Sequence, residues 1–130
     1  MATIRTGLAA LASAILLLSL AIYAQAKSPT ACDRQLVMQI DSAKVSVEPD
    51  GIEIDAFGVS ESLGWKSPTL VVSSTANGVA NVDFFACRPE VSAQKLTPIQ
   101  VHQTLDVDLA TTRKIIIRTR TNSMTVEITQ

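Results

Sequence analysis

After residue 33 the chain is built of short runs in which apolar and polar residues alternate at period two. Successive side chains of a strand point to opposite faces, so each run predicts one strand with a buried face. The run Val79–Cys87 (VANVDFFAC) organises the rest: Val82, Phe84 and Ala86 share one parity, and Asn77-Gly78 before it is a strong hairpin signal. Its hairpin partner is Thr69–Ser74, with Leu70 and Val72 on one face, and Arg88-Pro89 ends it because proline cannot donate to a central ladder. A first hairpin is predicted from Lys44–Glu48, the turn Pro49-Asp50-Gly51 and Gly51–Ser60, where Ile52, Ile54 and Ala56 oppose Glu53 and Asp55. Gln35–Ile40 ahead of it fits a short strand or one helical turn, with the strand preferred. Ile99–Val107 is apolar at Ile99, Val101, Leu105 and Val107, among Gln100, His102 and Gln103. The β-branched run Lys114–Thr121 (KIIIRTRT) and Met124–Thr129 form a last hairpin about Asn122-Ser123. Glu61–Pro68 reads as a loop, and Glu90–Pro98 as a polar connection long enough to change sheets, with room for a helical turn at Val91–Lys95.

Seven or eight short strands with turn signals about every ten residues predict an all-β fold, an antiparallel β-sandwich of immunoglobulin-like kind. A small closed barrel is the alternative. The expected core is Ile54, Leu70, Val72, Val82, Phe84, Val101, Ile117 and Val126.

The N-terminus departs from this pattern. Arg5 is followed by an uncharged stretch, Leu8–Ala24, and by the small-x-small site Ala24-Gln25-Ala26. That is the three-part pattern of a signal peptide over residues 1–26, preceding one β-sandwich domain at 27–130. An uncleaved anchor is the competing reading, although 17 residues are short for a membrane span. Export places the mature chain in a periplasm or outside the cell. The two cysteines, Cys32 and Cys87, then pair as a structural disulfide; in the chain-entropy view a loop of that length stabilises by about 4 kcal/mol. Without Arg5 the chain carries ten basic and twelve acidic residues, a balance that argues against nucleic-acid partners.

Three short segments carry a likeness. Gly58-Val59-Ser60, Gly64-Trp65-Lys66-Ser67-Pro68-Thr69-Leu70 and Asp83-Phe84-Phe85-Ala86-Cys87-Arg88-Pro89 resemble small exported bacterial proteins that share a G-W-x-x-P-x-L segment followed by D-F-x-F-x-A-x-x-P. The resemblance covers about half the mature chain, with Phe85 between the pattern's aromatic positions. It implies an all-β exported domain and no chemistry.

Candidate chemistry is sparse. His102 is the one histidine, with Asp106 and Asp108 close behind it, and acid–base work would require a nucleophile and an orienting carboxylate within reach. Glu48, Asp50, Glu53 and Asp55 cluster around the first hairpin but match no calcium-loop spacing. No metal, cofactor or catalytic residue is therefore assigned. Four residues are candidates for binding. Trp65 is a loop tryptophan that either presents a flat amphipathic face or caps the core. Ile115, Ile116 and Ile117 are consecutive, so at least one isoleucine must face away from the core side of the strand, and Ile116 is the one expected there. Arg118 and Arg120 share a face of the KIIIRTRT strand, either meeting an acidic partner or guarding a sheet edge. The expectation is an exported, non-catalytic module that acts by contact with a surface or with another envelope or extracellular protein. The alternative is a small exported hydrolase using carboxylates or His102.

Overall fold

The computed structural model describes residues 32–129, so the signal peptide and signal helix expected over residues 1–26 lie outside the described residues. The described chain is all-β. Its strands are β1 (Arg34–Leu36), β2 (Gln39–Glu48), β3 (Gly51–Ser62), β4 (Lys66–Ala76), β5 (Val79–Cys87), β6 (Gln94–Leu105), β7 (Lys114–Arg118) and β8 (Ser123–Glu127). They form two sheets packed face to face, the β-sandwich that the alternation predicts.

The strand that dominates the sequence pattern also dominates the first sheet. β5 pairs with β4 on one side, through the Asn77-Gly78 turn, whose residues have φ of 53° and 77°. On its other side β5 is flanked by two strands placed end to end. β1 covers its C-terminal part, from Arg34↔Cys87 to Leu36↔Phe85, and β7 covers its N-terminal part, from Val79↔Lys114 to Asp83↔Arg118. β8 then pairs with β7. The second sheet has the order β2-β3-β6.

Five of the six strand pairings among the described residues are antiparallel, and β5–β7 is parallel. The parallel pair departs from the purely antiparallel arrangement that the turns suggest. Two parallel neighbours need a long crossover between them. Here the crossover is β6, which lies in the opposite sheet.

Phe84, Ile52, Ile54, Ile115, Ile117, Val37 and Val82 are fully enclosed between the sheets. Phe84 faces the core and Phe85 the outer face, where the Arg34 guanidinium lies 5.8 Å from its ring centre. Gly58 makes room for this packing. A Cβ there would stand 2.4 Å from the Gln39 carbonyl oxygen and 3.4 Å from Phe84 Cε2, at the point where β2 bulges between Ile40 and Ser42. Of the expected core, Val72 and Val126 are only half-buried, because β4 and β8 are the outermost strands of their sheet.

Several boundaries move relative to the sequence pattern. β2 is continuous from Gln39, taking in the end of the run expected at Gln35–Ile40. Most of the expected Glu61–Pro68 loop is strand, leaving Leu63–Trp65 between β3 and β4. Pro68 is tolerated because β4 is an edge strand. The helical turn expected at Val91–Lys95 does not form: the Leu63 amide donates to the Ala93 carbonyl and β6 already begins at Gln94.

Two side-chain amides tie the sheets together at opposite edges. On the β4–β6 side, Gln103 Nε2 donates to the Leu70 carbonyl (2.8 Å) and the Leu70 amide donates to Gln103 Oε1 (2.9 Å). On the β2 side, Asn122 Nδ2 donates to the Ile40 carbonyl and the Ile40 amide to Asn122 Oδ1, each at 2.9 Å. Each amide copies the donor–acceptor pair of a neighbouring strand, so the edges are bridged without a backbone ladder closing a barrel.

Candidate functional site

β7 alternates strictly. Ile115 and Ile117 point inward and are fully buried, while Lys114, Ile116 and Arg118 point to the outer face of the first sheet. Ile116 is half-buried there, in register between Asn81 of β5 and Thr125 of β8. The parallel register sets Arg118 beside Asp83. Arg118 donates from Nε to Asp83 Oδ1 (2.9 Å) and from Nη2 to Oδ2 (3.1 Å), a two-bond pairing that fixes the guanidinium plane. The Asp83 side chain is 9% exposed and that of Arg118 60%, so the carboxylate lies beneath and the cation faces solvent.

An open groove of about 500 Å³ runs along this face, with Asp83, Ile116 and Arg118 in its wall and Ser73, Ser74 and Asn81 on the β4–β5 side. Arg120 belongs to the same lining. Three of the four binding candidates, Ile116, Arg118 and Arg120, are thus brought together. β7 ends at Arg118, however, and Arg120 lies beyond it, with its backbone amide donating to the Val37 carbonyl. Its Nη1 donates to Glu61 Oε1 of the opposite sheet (2.8 Å). This bond, helped by the charges of Arg120 and Arg88 and against the opposing effect of burial, holds the Glu61 carboxyl below the usual glutamate range. Glu61 Oε2 is buried without a hydrogen-bond partner among the described residues. The reading of Arg118 as an edge guard fails, because β7 has β5 on one side and β8 on the other, and Arg120 lies past the end of that strand.

Trp65, the fourth candidate, is elsewhere. It is half-buried against the core, and its indole N–H donates to Ser62 Oγ (2.9 Å). His102 is on the outer face of the second sheet, with Nε2 2.9 Å from Glu53 Oε1 and Nδ1 3.9 Å from Asp55 Oδ1; its side chain is 60% exposed. Asp108 is occupied in the turn after β6, where its carboxylate accepts from the Ala110 amide. Among the described residues no three His, Cys, Asp or Glu side chains are grouped to hold a metal ion.

Cys32 and Cys87 are bonded, with Cα atoms 5.5 Å apart, and fasten the start of the described chain to the end of β5. The motif segments meet close to this point. Gly64 stands against Pro89, 3.3 Å from where its Cβ would be, and Leu70 is in register with Phe84.

No family model, curated protein or solved structure matches this chain.

Asp83 and Glu61, the partners of the two arginines, were not among the sequence candidates. Asp83 did carry a signal: it is the lone charge inside the otherwise apolar and amide run VANVDFFAC, and a carboxylate on a central strand needs a cation. Glu61 sits within a stretch read as loop, and nothing local ties it to Arg120.

Proposed function

We propose that this chain is an exported, non-catalytic β-sandwich that works by contact with another protein, through the outer face of the first sheet around Ile116. One observation carries the reading. A half-buried isoleucine and a guanidinium held rigid by Asp83 share one groove wall, combining apolar area with a pre-oriented charged donor. Interface anchors have that character, because little side-chain entropy is lost when such groups are covered. The Cys32–Cys87 bond is compatible with an oxidising compartment and so supports export.

The test is capture of partners from envelope and medium by the purified exported protein and by its Ile116→Lys variant. The contact reading expects a specific partner to be lost by the variant while thermal stability barely moves. A variant that retains every partner, or loses a few kcal/mol of stability because Ile116 is packing the fold, removes this face as the interface.

A second reading, a small exported hydrolase, draws on the Glu53–His102 contact of the other sheet. A hydrolytic activity of the exported protein that disappears in His102→Ala would favour it over the contact reading.

A further inference from the structure

The hydrogen-bond inventory of the groove specifies what it takes. Arg118 uses Nε and one hydrogen of Nη2 on Asp83, so the far edge of the guanidinium, Nη1 with the second hydrogen of Nη2, points away from Asp83 with donors to spare. That edge is itself a fork matched to a planar two-oxygen group. Around it, Asn81 Nδ2 donates one of its two hydrogens to Ser74 Oγ, which leaves its second hydrogen and the Ser74 hydroxyl hydrogen to donate. Ser73 donates to the Asn81 carbonyl, Thr121 to Met38, and Asn122 is held by Ile40. The unspent groups are therefore mostly donors. Asp83, the one carboxylate of the lining, lies beneath its cation.

We infer that the groove receives a carboxylate of the partner protein, an Asp or Glu side chain seated end-on on the free edge of Arg118 with its aliphatic stem against Ile116. This deepens the contact reading and rests on it. A carboxylate matches the fork in shape and charge. Lys in place of Arg118 would keep the charge and lose the second bond.

The experiment follows ¹⁵N signals of Arg118, Asn81 and Ile116 in the exported protein while sodium butyrate, butyramide or inorganic phosphate is added. Saturable shifts with butyrate, at least tenfold weaker with butyramide, are expected. Arg118→Lys should weaken butyrate at least tenfold. Because that change disturbs the Asp83 pair, Asn81→Asp is the second variant: it leaves the pair intact, sets a like charge at the groove and should weaken butyrate by a similar factor. Absence of saturable butyrate shifts, equal response to butyramide, stronger binding of phosphate, or indifference to Asn81→Asp overturns the carboxylate assignment. Partner loss in Ile116→Lys without butyrate binding leaves the contact reading standing and rejects only the ligand. Butyrate binding with partner capture unchanged by Ile116→Lys rejects the contact reading and keeps the site.

Discussion

Gln103→Glu replaces one NH₂ by oxygen and so tests the amide clamp between β6 and β4 atom by atom. In the native protein Nε2 donates to the Leu70 carbonyl at 2.8 Å, and Oε1 accepts from the Leu70 amide at 2.9 Å and from Thr69 Oγ1 at 3.3 Å. An ionised glutamate keeps the acceptor and puts a second acceptor against the Leu70 carbonyl. The loss is one hydrogen bond, about 1 kcal/mol, plus an unsatisfied carbonyl at a buried residue, about 1–3 kcal/mol, so about 2–4 kcal/mol at neutral pH. Protonation restores a donor at that place. The carboxyl is thus raised in the folded variant, and the restored bond stabilises fully at low pH and is lost as pH rises through the folded value. Gln103→Leu removes donor and acceptor together and should cost about 2–4 kcal/mol with no added pH dependence. Urea unfolding followed by Trp65 fluorescence, at pH 7 and pH 4, measures both variants against wild type. A gap between wild type and Gln103→Glu that fails to narrow at pH 4, or a Gln103→Leu cost under about 0.5 kcal/mol, would refute the view that this amide joins the sheets.

The remaining predictions concern the disulfide and the Arg120 pair. The exported protein should gain two protons in mass on reduction, with no dimer, and Cys87→Ser should lower its unfolding free energy by about 4 kcal/mol in urea titration. Arg120 holds Glu61 below its unfolded carboxyl value, so its stabilisation is complete above the ordinary glutamate range and is lost as pH falls through the folded value. Glu61→Gln should therefore flatten the acid side of the stability profile, and an acid limb identical to wild type would show the pair to be energetically idle.

What the sequence disclosed followed from period and turn chemistry. Alternation placed Ile54, Leu70, Val82, Phe84, Val101 and Ile117 in the core, because a strand's side-chain parity is fixed once its partner face is buried. Asn77-Gly78 fixed the β4–β5 hairpin through its left-handed backbone. The parallel β5–β7 pair left no local trace, since it joins residues that nothing adjacent in sequence links. Gln103 did leave one: a polar residue at the inward parity of a run holding Val101 and Leu105 calls for a buried partner. Its partner is the backbone of Leu70, which no residue type announces. The same holds at the groove. Ile116 and Arg118 were legible as outward residues of one strand, but Asp83 was placed beside them only by a register set across the crossover.

The disulfide also changes how the molecule would bear mechanical load. Tension applied between residues 32 and 129 passes from Cys32 across the bond to Cys87, and the 55-residue span between them is withdrawn from extension. At about 3.5 Å per residue, roughly 190 Å of contour stays locked until the bond is reduced. The load enters β5 at its C-terminal end and leaves β8 at its C-terminal end. β7 runs parallel to β5 and β8 antiparallel to β7, so the two ends are pulled in opposite directions along the strands. The β5–β7 and β7–β8 ladders are then loaded in shear, with their hydrogen bonds sharing the force rather than parting one at a time. Single-molecule stretching with and without reductant would read the locked length as an added step of about 190 Å.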